Sequence, residues 1–357
     1  MDIHYLLRPV TLAPRDRATL RSVATASLIA ASVVALLVAP LAAQRAAVPP
    51  VAGRWRVVTP DAALAWYAVL ADLRLPGAGA FAFTAGGTVH AGQAALARSL
   101  ADSRESESLH FVPLYHPSAD RAALAAAVRV AAGDGPPAPR ATLVVAALRQ
   151  ALPAASRRSQ LPAVADALLD VRPEIPAAER VAAWQALLDT LYGPALAPWL
   201  VAERLDEGRL IVAPAIGPEG RLFAGTADRT DNLVAVGRFE ADASPDAPLL
   251  AFAREVCFPV VSRAARAAGL RAEDPESARR ASLAAVRCGS ALLDRRLPAR
   301  ASAYRRFWLQ RRTGSAAAVP VEADAEALRA AFVRAFPPDA PFEDAVARAL
   351  ARIPSSR

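Results

Sequence analysis

The sequence predicts an α+β fold: a mixed α/β first lobe carrying a small sheet, followed by a largely helical second lobe. Three observations point there. Short β-prone runs, RLIVAPAIG, GRLFAGTA and DNLVAVGRF, crowd between Arg209 and Phe239 and are separated by Gly, Pro and Asp. Stretches with apolar residues at helical spacing lie on both sides of them. The 357-residue chain is also 54% hydrophobic and only 21% charged, which excludes a disordered chain and is ample for a sizeable core.

Taken in order, the chain opens with Arg8, Arg15, Arg17 and Arg21 ahead of ATASLIAASVVALLVAPLAA, and no charge falls between Arg21 and Arg45. Basic residues before an apolar run that ends in small residues describe a secretory signal, with cleavage near Ala43 or Gln44. The run is about 20 residues long, so residues 22–44 would also serve as an uncleaved membrane anchor. Either way the protein is expected to be exported, to the periplasm, the cell envelope or the outside. The chain therefore divides into a signal or anchor at 1–44, a linker at 45–58, an α/β lobe at 59–247 and a helical lobe at 248–357.

A helix is expected from Thr59, with Thr59 as N-cap and Pro60 at the first helical position. AGAFAFTAGG (78–87) alternates and then stops at two glycines, so it reads as a strand and turn. LHFVPLYH (109–116) reads as a second strand, placed at an edge by Pro113. Helices follow at 118–132 (capped by Ser118), 141–152, 160–171 and 177–192, with the loop AAGDGPPAPR between the first two. After the three short strands and the polar ADASPDAP, helices are expected at 248–268, 276–296, 300–312, 323–336 and 341–353.

The formal net charge is +8, and the absence of Lys makes all 42 basic residues Arg. Arginines are scattered among acids, as at Arg279-Arg280, Arg295-Arg296, Arg305-Arg306 and Arg311-Arg312. They do not form one stripe with aromatics between them, so no nucleic-acid partner is expected. Abundant Ala, Arg and Pro without Lys has the look of a GC-rich genome. Trp184 and Tyr192 are spaced to meet on one helix face. Phe307 and Trp308, in AYRRFWLQRR, read as core residues fringed by arginine.

The four histidines are His4, His90, His110 and His116. On a strand His110 and His116 would share one face, and with His90 they are the weak candidates for a metal site. No G-x-S-x-G is present, and GAGAFAFTAGG fits neither a P-loop nor a dinucleotide fingerprint.

LLAFAREVCFPVV (249–261) is a core-like helix interrupted by Arg254, Glu255 and Cys257. Positions 254 and 258 are one helical turn apart. The order of elements, a small sheet ending in DNLVAVG, a polar loop, this helix and then ESARRASLAAVRCGSALLDRRL, resembles the zincins, the zinc peptidases built on an H-E-x-x-H helix, of glutamate-ligand type. The resemblance spans roughly residues 190–350. Glu255 stands where the family carries the glutamate that polarises the attacking water, while Arg254 and Phe258 stand where it carries its two histidine ligands. Arg is a permanent cation and Phe has no donor atom, so the resemblance implies that zinc is lost, that no cofactor is used and that Glu255 has no reaction to assist. Arg254 would instead neutralise Glu255, and Pro259 would kink the helix beside it.

The resemblance further implies that Cys257 and Cys288, one on each helix, replace the metal as a covalent tie; a buried pair of free thiols is the alternative, and neither cysteine sits in a zinc-ligand spacing. Such a protein, a pseudoenzyme, would bind a peptide or protein in the former cleft or act as a scaffold. The competing readings are an active hydrolase with a metal site of its own, drawn from His90, His110 or His116, and a membrane-tethered structural protein.

Overall fold

The computed structural model describes residues 55–73, 109–116, 120–216, 220–224, 232–237, 244–270 and 275–313. The expected signal or anchor at 1–44, the expected strand at 78–87, His90 and the expected helices at 323–336 and 341–353 lie outside the described residues. The α+β class holds: helices predominate around one small sheet.

Four strands form that sheet: β1 (Trp55–Val58), β2 (Gly208–Val212), β3 (Arg221–Ala224) and β4 (Asn232–Val236). Their order is β1-β2-β4-β3. The first three pair in parallel, and β3 runs antiparallel along the β4 edge. The expected linker at 45–58 thus ends earlier than its composition suggests, because Trp55–Val58 alternates buried and more open residues and joins the sheet. Trp55 lies opposite Gly208 in register. A Cβ at 208 would fall 2.7 Å from the Trp55 ring, so glycine is what lets the indole come this close to β2.

Because strand side chains alternate, the sheet offers a different apolar row to each face. Ile211, Leu233 and Ala235 join one core with Trp66, Leu124, Val128, Leu148 and Leu168. The helices on that side are α1 (Asp61–Asp72), α2 (Val112–Tyr115), α3 (Arg121–Ala132), α4 (Thr142–Ala151), α5 (Ala155–Arg158) and α6 (Leu161–Asp170). Helix α1 begins one residue later than expected, with Pro60 rather than Thr59 at the N-cap. Asp120 caps α3 by accepting from the Ala122 N–H at 2.8 Å. The expected cap, Ser118, lies outside the described residues.

Leu210, Val212, Val234 and Val236 face the second core, with Trp184, Tyr192, Trp199, Phe252, Leu292 and Trp308. Here the helices are α7 (Ala178–Leu187), a π-helical turn (Leu188–Tyr192), α8 (Gly193–Ala202), α9 (Ala247–Glu255), α10 (Phe258–Ala267), α11 (Pro275–Arg296) and α12 (Pro298–Thr313). The expected helix at 177–192 therefore continues to Ala202. Its π-turn brings the Leu188 carbonyl to 2.7 Å from any Cβ at 193, which is why glycine stands there, and Pro194 next to it has no N–H to donate. The cores do not part at residue 247. Trp55 and the apolar side chains of the 178–202 segment pack with the C-terminal helices, so the sheet carries an apolar core on each face.

Candidate functional site

The expected single helix at 248–268 is two helices meeting at an elbow. Helix α9 ends at Glu255 and α10 starts at Phe258, with Val256 and Cys257 as a turn between them. Pro259 accounts for the break, since it has no N–H to return to the Glu255 carbonyl. The Trp199 indole N–H donates to the Val256 carbonyl at 3.1 Å and holds the elbow against α8.

The structure brings Arg254, Glu255 and Phe258 together inside the second core. Both charged side chains are 0% exposed. Nη1 of Arg254 donates to Oε1 of Glu255, and Nη2 donates to Ser282 Oγ on α11 at 2.8 Å. The guanidinium carbon lies 4.9 Å from the Phe258 ring centroid and 5.1 Å from that of Trp308 on α12. Cation–π attraction in this desolvated setting adds to the ionic contact. Across the sheet edge, Gly220 presses on Glu255: a Cβ there would come 2.8 Å from Glu255 Cγ. Glu255 is thus enclosed by α9, the residue leading into β3, and its own neighbouring arginine.

Cys257 and Cys288 are also neighbours. Both are buried free thiols, and they hydrogen-bond to each other. Burial pushes the Cys257 thiol well above its ordinary range, with the contact to Cys288 acting in the same direction. Tyr304 on α12 packs against Gly289, the residue after Cys288. Its hydroxyl donates to the Val286 carbonyl at 2.9 Å and lies against Gly289. Burial raises its phenol far out of the usual range, the Cys257 thiol adds to the effect, and Arg254 opposes it.

Of the histidine candidates, His110 and His116 are among the described residues. The expected strand at 109–116 is instead a single helical turn, α2, with Pro113 in its first turn, where a fixed φ suits a helix start. His110 and His116 therefore do not line one strand face. His110 is buried, and its carbonyl accepts from the Tyr67 hydroxyl at 3.4 Å. Nε2 of His116 meets the Asp120 carbonyl at 3.2 Å, and burial lowers its pKa. Among the described residues no group of three or more His, Cys, Asp or Glu is placed to hold a metal ion.

Sequence reasoning missed several members of this region. Asp246, 2% exposed ahead of α9, accepts from the Tyr192 hydroxyl at 2.8 Å and from Ser244, and pairs with Arg300 Nε at 3.2 Å. Trp184 reaches the adjacent Pro245 carbonyl at 2.9 Å, so the expected Trp184 and Tyr192 pairing is a joint grip on the segment entering α9. Glu203 receives both terminal nitrogens of Arg263 at 2.9 Å. Ser282, Trp308 and Tyr304 complete the surroundings of Arg254 and the thiols. One signal was available: Ala281, Ala285, Cys288, Gly289 and Leu292 make a mostly small seam at helical spacing on α11. It lets α9 approach until a Cβ at 289 would lie 3.2 Å from the Ala253 carbonyl.

Chemically, the region offers a carboxylate paired with a guanidinium, both at 0% exposure. A general base has to reach a proton on a substrate or water. Compared with protein-family models, curated proteins and solved structures, the chain matches none.

Proposed function

We propose that this chain is an exported, zincin-like protein without peptidase activity, in which the catalytic positions have become a structural centre. It acts at the cell envelope by holding a peptide or protein ligand, or as a scaffold. The observation that supports this most is the Arg254–Glu255 pair, buried at 0% exposure with Ser282, Phe258 and Trp308 around it. In an H-E-x-x-H peptidase the glutamate works on a metal-bound water that substrate can reach. Here the same position is bonded to the residue that replaces the first histidine, and the residue that replaces the second stacks on that arginine. The three motif positions thus stabilise one another and face no substrate.

The test is turnover of a mixed-sequence fluorogenic peptide library by the full chain, with and without added zinc, alongside Glu255→Gln. The expected result is no turnover above blank for either protein. Zinc-dependent cleavage that Glu255→Gln abolishes would overturn the proposal. The export component is tested separately by fusing alkaline phosphatase after residue 60. Phosphatase activity supports it, and an inactive cytoplasmic fusion contradicts it.

A further inference from the structure

We propose that Cys257 and Cys288 are a cross-link site, oxidised to a disulfide while the exported chain folds and then sealed in the core. The proposal rests on the export reading for its oxidant, and on geometry for everything else.

The two thiols already touch, one on the α9–α10 elbow and one in the middle of α11. They are the only two cysteines in the chain, so no competing partner exists. A bond between them would fix the elbow to α11, beside the Arg254–Ser282 hydrogen bond that joins the same two segments. Both residues are 0% exposed, and Tyr304 packs so tightly beside Cys288 that there is no room for a side chain at Gly289. No reagent reaches them in the folded protein, and burial keeps Cys257 in its unreactive protonated form. Oxidation therefore belongs to folding, before α12 closes.

The chemistry is thiol–disulfide exchange with a protein disulfide oxidant of the exported compartment. The Cys257 thiolate attacks the oxidant's disulfide, forming a mixed disulfide and releasing one oxidant thiolate. The Cys288 thiolate then attacks Cys257 sulfur, forming the Cys257–Cys288 bond and releasing the second. The chain loses two electrons and two protons, and the oxidant leaves as a dithiol.

Trypsin should release EVCFPVVSR (255–263) and CGSALLDR (288–295) from this sequence, so the state of each thiol can be read by mass. In full-length chain recovered from an oxidising compartment, with free thiols alkylated at lysis, the two peptides are expected joined and two hydrogens lighter than their sum. Finding both alkylated in exported protein would overturn the proposal. A second arm removes the dependence on export: the full chain is unfolded, reduced and refolded in a glutathione redox buffer. Linked peptides are expected again, and free thiols in correctly refolded protein would overturn the geometric argument whatever the compartment. Sealing is read from phosphine reduction of the native protein. Tyr304→Ala should speed it by roughly tenfold or more by lowering the cost of local opening. An unchanged rate in a folded Tyr304→Ala would contradict the role of Tyr304 in sealing the pair.

Discussion

The two faces of the sheet are built on different principles. On the face covered by α1–α6, no aspartate, glutamate or arginine of those helices is buried; their ion pairs, such as Arg129–Asp166, stay at the margin. On the face covered by α7–α12, Glu203, Asp246, Arg254 and Glu255 are all buried, each with a named partner. The first is held by apolar close packing with neutral hydrogen bonds inside it, such as that from the Trp66 indole N–H to the Leu109 carbonyl. The second combines packing with charge, and its geometry depends on matched pairs that would be expensive to leave unmatched. A buried pair is weak evidence of extra stability, since apolar replacements of the same shape often do as well.

This contrast can be broken at several points. The largest effect is expected from Arg254→Met alone, which strands Glu255 in the core and should cost about 3–5 kcal/mol in urea unfolding. Leu168→Ala on the opposite face should cost about 2–5 kcal/mol by cavity formation, but without any dependence on pH or salt. A loss that varied with salt or pH would show that charge contributes to the first face as well. Gly289→Ala drives a methyl group into the Tyr304 phenol and should cost about 1–3 kcal/mol, with only part of the loss relieved in a Gly289→Ala, Tyr304→Phe double variant, because the ring carbon Cζ would still lie 2.7 Å from the new Cβ.

The smallest effect concerns His116. Burial lowers its folded-state pKa below the ordinary 6.5, so between those two values the unfolded chain binds more protons than the native one. Its contribution is intact above about pH 6.5 and is lost as pH falls toward the folded-state value. His116→Gln should flatten that part of the stability–pH curve, measured by chemical denaturation. A profile as steep as wild type would remove His116 from the account.

Much of this was legible in the residues, and the misses have physical causes. The three middle strands and most helices follow from periodicity, which is a local property. Strand β1 was hidden because four residues beside a Pro-rich stretch carry too little pattern; only pairing with β2 makes WRVV a strand. The 109–116 segment was misread because Pro113 is compatible with both an edge strand and a first helical turn, and packing against α1 decided between them. At the site, the Arg254–Glu255 pairing and the kink at Pro259 were readable because both partners are adjacent in sequence. Ser282, Trp308, Tyr304 and Asp246 join through contacts between residues far apart in the chain, which a one-dimensional pattern does not encode.

The central claim is that Glu255 is a structural partner of Arg254, and a double-mutant cycle in urea tests it most directly, using Arg254→Met, Glu255→Leu and the pair together. The account predicts that each single change is strongly destabilising and that the double variant recovers most of the loss, approaching or exceeding wild-type stability. Single variants as stable as wild type, or a double variant whose loss is the sum of the two, would contradict it.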